Sequence, residues 1–304
     1  DMDVLRAALG ESQLDYFGAS YGTKLGATYA DLFPERVGRM VLDGAVDLSI
    51  SSRQLSLQQA AGFETALRAY VADCVAQGDC VLGDSVEEGL ATIKGLLDQV
   101  DQDPMPTSGS RDLEVGNAFY GIVLPLYNRD YWPYLTQGLE AALDGDGTLL
   151  LRFSDIYNSR SARGGYTDNS TEANYAINCL DNPWSIPADE VPAQLPAFEK
   201  ASPTFGTVFA WGLTGCGGIE VEATEHDRHI DAVGAAPIVV VGTTRDPATP
   251  YQWAQHLADQ LDSGVLVSRD GDGHTGYNSG NECVDTAIED YLVDGTVPED
   301  GLSC

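Results

Sequence analysis

The chain has 304 residues, 43% of them hydrophobic and 21% charged, enough for one large domain or for a core domain with a sizeable insertion. Forty-seven acidic against sixteen basic residues leave a formal net charge of −31, which repels phosphate backbones and argues against a nucleic-acid partner. No apolar run approaches the ~20 residues that a membrane helix needs, so no membrane span is expected.

In chain order, Met2, Leu5 and Leu9 have helical spacing, and Gly10 stops that helix. Leu14-Asp15-Tyr16-Phe17 reads as a short strand running directly into Gly18-Ala19-Ser20-Tyr21-Gly22. A helix is expected over residues 23–33, ended by Pro34, and a second strand over residues 39–43, closed by Gly44. Strand, turn, helix, strand is the βαβ unit of a parallel sheet. From about residue 49 the pattern becomes helical, over residues 55–75, 86–100, 131–143 and 188–201, with polar loops at 103–112 and 159–169. Strands return at residues 236–242 and 264–268, with a helix over 251–261 between them and a last helix over 284–293. The expected organisation is therefore a core of residues 1–48 and 232–304, with a mostly helical cap of residues 49–231 inserted between core strands.

Six cysteines fall in successive pairs, Cys74 with Cys80, Cys179 with Cys216, and Cys283 with Cys304. None shows the two-residue spacing of a zinc or redox motif, so three disulfides formed in an oxidising compartment are expected, with connectivity left open. Export implies that a signal segment, absent before Asp1, was removed. The acidity suits an exported, soluble protein; it would also concentrate cationic ligands such as peptides with a free amino group.

The pentapeptide Gly18-Ala19-Ser20-Tyr21-Gly22 fits G-x-S-x-G, and its place between a strand and a helix is what a nucleophile elbow requires. Ser20 is the expected nucleophile, with the backbone N–H of Tyr21 pointing at a developing oxyanion. Serine needs a base, and the chain offers four histidines. His256 falls mid-helix, and His226 and His229 form a polar stretch without a third metal ligand, so no metal is expected. His274 lies in the glycine-flanked loop after the last strong strand, where this architecture places its base. Asp246, in the proline-stiffened loop Thr244-Arg245-Asp246-Pro247-Ala248-Thr249-Pro250, is the expected orienting carboxylate; Asp270 and Asp272 are rivals beside His274. The chain order Ser20, Asp246, His274 is that of α/β-hydrolases.

These residues, with Thr23, Tyr29-Ala30, Phe33-Pro34, Val41-Leu42-Asp43-Gly44, Ala176-Ile177-Asn178-Cys179-Leu180-Asp181, Asp246-Pro247-Ala248-Thr249-Pro250 and the tail from Cys283 to Cys304, resemble the secreted actinobacterial tripeptidyl aminopeptidases and the related prolyl aminopeptidases. The resemblance implies an α/β-hydrolase fold and a serine exopeptidase, without cofactor, that releases short peptides, often tripeptides, from free N-termini through an acyl-enzyme. It carries the triad roles to Ser20, Asp246 and His274, a supporting hydrogen bond to Thr249, and recognition of the substrate ammonium to Asp181. Family members have further strands before the elbow. The resemblance therefore leads to the expectation that N-terminal strands are missing, and that an N-terminal fragment of the same precursor completes the sheet at the open edge of the first strand. Two other functions fit the same residues: a carboxylesterase or lipase, and an inactive hydrolase serving as a binding protein.

Overall fold

The computed structural model describes residues 1–161, 163–220 and 229–304; His226 lies outside the described residues. In chain order the helices and strands begin with α1 (Met2–Ala8), β1 (Leu14–Ala19), α2 (Tyr21–Leu32) and β2 (Val37–Asp43). A helical stretch follows: α3 (Ser52–Gln77), α4 (Val86–Gln102), α5 (Val115–Leu126), α6 (Trp132–Leu143), α7 (Thr148–Tyr157), α8 (Ser170–Asp181), α9 (Val191–Ala201) and α10 (Gly206–Gly212). The chain then returns to β3 (Ile238–Arg245), α11 (Tyr251–Gln260), β4 (Gly264–Asp272), α12 (Glu282–Glu289) and β5 (Leu302–Ser303). Two compact units result: Asp1–Ser51 with Asp227–Cys304, and Ser52–His226.

The first unit is built on a parallel sheet in the order β1-β2-β3-β4-β5. Alternate side chains of its central strands enter two separate cores. Met40 and Leu42 of β2 and Ile238 and Val240 of β3 pack with Ala27, Tyr29 and Ala30 of α2 and with Ala254 and Leu257 of α11. Val41, Val239, Val241, Val265 and Val267 point to the other face, where Val284 and Ile288 of α12 and Tyr291 cover them. Burial on both faces explains why Ile238-Val239-Val240-Val241 is a continuous apolar run rather than an alternating one. β1 is an edge strand; its exposed Phe17 packs against Tyr277 with the rings tilted, centroids 5.4 Å apart. The short β5 pairs with Val267 and Ser268 and is tied down by the Cys283–Cys304 bridge.

The second unit is entirely helical among the described residues, apart from isolated bridges. Leu67, Tyr70, Ile93, Ile122, Leu126, Leu135 and Leu150, from α3 to α7, are fully or almost fully buried. A second cluster joins Ala60 to Val191, Phe198, Ala210 and Leu213. The buried carboxylate of Glu64 is satisfied by Ser202 Oγ at 2.7 Å and by Thr204 N–H at 3.1 Å, which fixes the α9–α10 turn on α3. Two disulfides, Cys74–Cys80 and Cys179–Cys216, lie within this unit, and no described cysteine is free.

Candidate active site

Parallel strands deliver their C-terminal ends to one edge of a sheet, and Ser20, Asp246 and His274 each follow such an end: those of β1, β3 and β4. Register places them along that edge, since Ala19 pairs with Asp43 of β2 and Asp43 pairs with Val241 of β3.

Ser20 adopts φ 54° and ψ −120°, outside the regions that a non-glycine residue prefers. Such a conformation costs ~1–3 kcal/mol and persists where the surroundings impose it. Here the Ser20 N–H donates to the Asp43 carbonyl at 2.8 Å, and the Ser20 carbonyl accepts from both Thr23 N–H and Thr23 Oγ1. The fully buried Thr23 hydroxyl in turn accepts from Val46 N–H at 3.0 Å. Gly18 makes the turn possible: a Cβ there would lie 2.5 Å from the Gly22 carbonyl oxygen. Tyr21 opens α2, so its amide lies at the positive end of that helix.

The imidazole of His274 is held by Asp246. Nδ1 lies 2.9 Å from Oδ2 and 3.0 Å from Oδ1 of a carboxylate that is 2% exposed. The same carboxylate accepts three backbone amides: Ala248 at 2.9 Å and Thr249 at 2.8 Å on Oδ1, and Thr275 at 3.0 Å on Oδ2. Both oxygens are thus surrounded by donors, which fixes the carboxylate and leaves Nδ1 as the protonated nitrogen of the neutral ring. Burial disfavours the imidazolium, but the charge and hydrogen bond of Asp246, with help from Asp43, outweigh it and raise the His274 pKa.

Thr249 Oγ1 lies 3.3 Å from His274 Nδ1, whereas α11, which begins at Tyr251, has no side-chain cap. Gly44, after β2, lies against the ring: a Cβ there would be 3.3 Å from His274 Cε1 and 3.1 Å from Thr249 Oγ1, and its φ of 66° suits glycine. The Ser20 turn, bonded to Asp43, and the His274 ring, against Gly44, therefore both meet the chain where β2 ends.

The rival carboxylates point elsewhere. Asp270 and Asp272 both bind Arg245, at 2.7 and 2.5 Å, and brace the end of β4 against β3. His256 is half exposed and sits 2.9 Å from the buried Asp47, which also accepts from Ser49. His229 is exposed and outside any helix, and no group of metal-ligating residues occurs among the described residues. Asp181 is the last residue of α8 in the helical unit and is half-buried. Sequence reasoning overlooked Asp43. Its position at the end of an apolar strand was visible, but the partners that give it a role come from residues 276 and 277, more than two hundred positions away.

Residues 202–304 match the family described as "TAP-like protein", whose model is an α/β-hydrolase one. The whole chain is similar to "Serine protease Hip1" of Mycobacterium tuberculosis (strain ATCC 25618 / H37Rv), 38% identical over 100% of this chain and 60% of that protein. It is 40% identical to "Carboxylesterase B" of the same strain, covering 59% of it, and 28% identical to "Tripeptidyl aminopeptidase" of Streptomyces lividans, covering 57%. The chain thus spans less than two thirds of the length of these relatives. A solved α/β-hydrolase from a deep-sea metagenome library aligns with 98% of this chain and 70% of its own, at 14% identity and a TM-score of 0.36, too loose a likeness to carry any argument. The parallel sheet and the TAP-like match together give the chain the α/β-hydrolase fold.

Proposed function

We propose that the chain carries the catalytic triad of a serine hydrolase, with Ser20 as nucleophile, His274 as general base and Asp246 as the orienting carboxylate. The observation that carries the reading is the strained Ser20 turn beside a His274 whose Nδ1 is locked on a buried, fully bonded Asp246. Nδ1 protonation leaves Nε2 as the acceptor for the serine proton as Oγ attacks a carbonyl. The imidazolium is stabilised by Asp246, and the oxyanion by the N–H of Tyr21 at the start of α2. His274 then returns its proton to the leaving group, and water releases the acyl-enzyme by the same path.

The activity proposed is that of an exported exopeptidase releasing short peptides, tripeptides among them, from free N-termini. The relatives named serine protease and tripeptidyl aminopeptidase support this, as do three disulfides and an excess of acidic residues suited to a cationic chain end. In this reading the helical unit is the cap, and Asp181 at the end of α8 receives the substrate ammonium. Thr249 supports the His274 ring through its hydroxyl. A carboxylesterase is the second reading, favoured by the 40% identical relative of that name. Turnover of peptide anilides with free and with acetylated N-termini separates the two. The exopeptidase cleaves only the free forms; equal cleavage of both, or activity confined to neutral acyl esters, rejects it in favour of the esterase.

A further inference from the structure

We infer that Asp43 is a positioning residue for the reaction, tying the nucleophile turn and the base loop to one strand end and holding a negative charge near the imidazole. The inference rests on the triad proposed above and adds a fourth residue to it, one that touches no reacting atom.

Asp43 is the last residue of β2 and is completely buried. Its carbonyl accepts the N–H of Ser20 at 2.8 Å. Its carboxylate accepts the two consecutive amides that follow the base loop: Gly276 on Oδ1 at 2.7 Å and Tyr277 on Oδ2 at 2.8 Å. Nucleophile and base thus hang from the main chain and the side chain of the same residue. The loop it holds is conformationally demanding. Gly273, Thr275 and Asn278 have φ of 102°, 71° and 56°, and two of these are not glycine. Asp246 fixes this loop at Thr275 N–H, and Asp43 fixes it at the next two amides, so a continuous run of three N–H groups is bound by two buried carboxylates.

An uncharged side chain does not do the same work. Asparagine has one acceptor oxygen, so its amide group would confront either the Gly276 or the Tyr277 N–H. The charged groups facing Asp43 are His274, Asp246 and Arg269, whose guanidinium binds the carbonyl oxygens of Asp272 and Ser279. Burial pushes the Asp43 carboxyl up to about 6, against the pull of the two amides, with Asp246 adding to the rise and His274 opposing it. A carboxylate in so costly a place is retained where its bonds and charge are needed.

The experiment is the second-order rate at which a fluorophosphonate probe labels Ser20, measured from pH 5 to 9 on wild-type protein, Asp43→Asn and Asp47→Asn, with thermal melts of each. Asp47 is the matched control, a carboxylate equally buried in the same unit whose bonds go to Ser49 and His256 instead of the base loop. Asp43→Asn is expected to lower the plateau rate by ~10–100-fold, the scale of a sub-ångström displacement of a reacting group. It should also shift the acid limb to lower pH, because an anion near the imidazolium is gone. Asp47→Asn is expected to lower the melting temperature and leave both readouts unchanged. A folded Asp43→Asn labelled at the wild-type plateau rate, with an unmoved limb, overturns the inference. If Asp43→Asn does not fold, Asp43→Glu decides: it keeps the charge but moves both acceptor oxygens away from the Gly276 and Tyr277 amides, so the plateau rate should fall, and a wild-type plateau overturns the inference. Wild-type protein that is never labelled overturns the triad itself.

Discussion

Replacing Asp246 by asparagine puts the structure's account of the base under the most specific test. Each oxygen of Asp246 faces donors: Ala248 and Thr249 N–H on Oδ1, Thr275 N–H on Oδ2, and His274 Nδ1 within reach of both. An asparagine oxygen is worth most at the Oδ1 position, where it keeps two amides. That leaves the amide NH2 at the Oδ2 position, 2.9 Å from Nδ1 and facing the Thr275 N–H. One opposed donor pair costs ~1–3 kcal/mol of stability. More consequential is the ring: Nδ1 must now accept, the proton moves to Nε2, and no lone pair remains for the serine proton. A wrong tautomer of this kind lowers turnover by ~10⁴, about 5 kcal/mol of barrier, whereas the fold survives. The assay is fluorophosphonate labelling and 4-nitrophenyl ester turnover at pH 8, beside a thermal melt. A folded Asp246→Asn protein within about tenfold of wild type would refute the assignment of Asp246 and the tautomer argument together.

Three further outcomes are expected. Because Asp246 and Asp43 raise the His274 pKa against the effect of burial, labelling should fall with decreasing pH at a midpoint above the ordinary ~6.5 of histidine. By the same linkage, the stability that His274 contributes is fully present below about 6.5 and is lost as pH rises through its folded-state pKa. A labelling midpoint below about pH 6 contradicts this. Gly18→Ala puts a Cβ 2.5 Å from the Gly22 carbonyl oxygen, so the first turn of α2 must move; a loss of ~1–3 kcal/mol and at least ~10-fold slower labelling are expected, and unchanged kinetics would show that the turn adapts freely. Within the helical unit, the disulfide with 37 residues of separation should stabilise by about 4 kcal/mol and the one with 6 by about 2 kcal/mol, so urea unfolding of the paired Cys→Ser variants should rank Cys179–Cys216 above Cys74–Cys80.

Much of the site was legible because its signals are local. Strand, small-residue turn and helix around Ser20 share one stretch of chain, and the loops of Asp246 and His274 follow apolar runs that could only be buried strands. Elements whose composition or length conflicts with their structure were harder. Val115–Leu126 is strongly apolar, since α5 is buried against α7 and α4, and it carries Pro125 inside the helix, which argues against a helix in the sequence alone. Strand β4 runs four residues past its apolar stretch, to Asp272, because Arg245 and Asp272 pair across the strands in a way that hydrophobicity does not register. β5 has only two residues and owes its place to pairing with Val267 and Ser268. Asp43 is the clearest case: a strand's final residue in sequence, it acquires its partners only when the base loop folds over it.

Whether Ser20 is the nucleophile is read most directly from intact mass and peptide mapping after treatment with a fluorophosphonate. One covalent adduct per chain is expected, located on Ser20, and none on a Ser20→Ala protein with an unchanged melting curve. An adduct on another residue, or one that persists in Ser20→Ala, would contradict it.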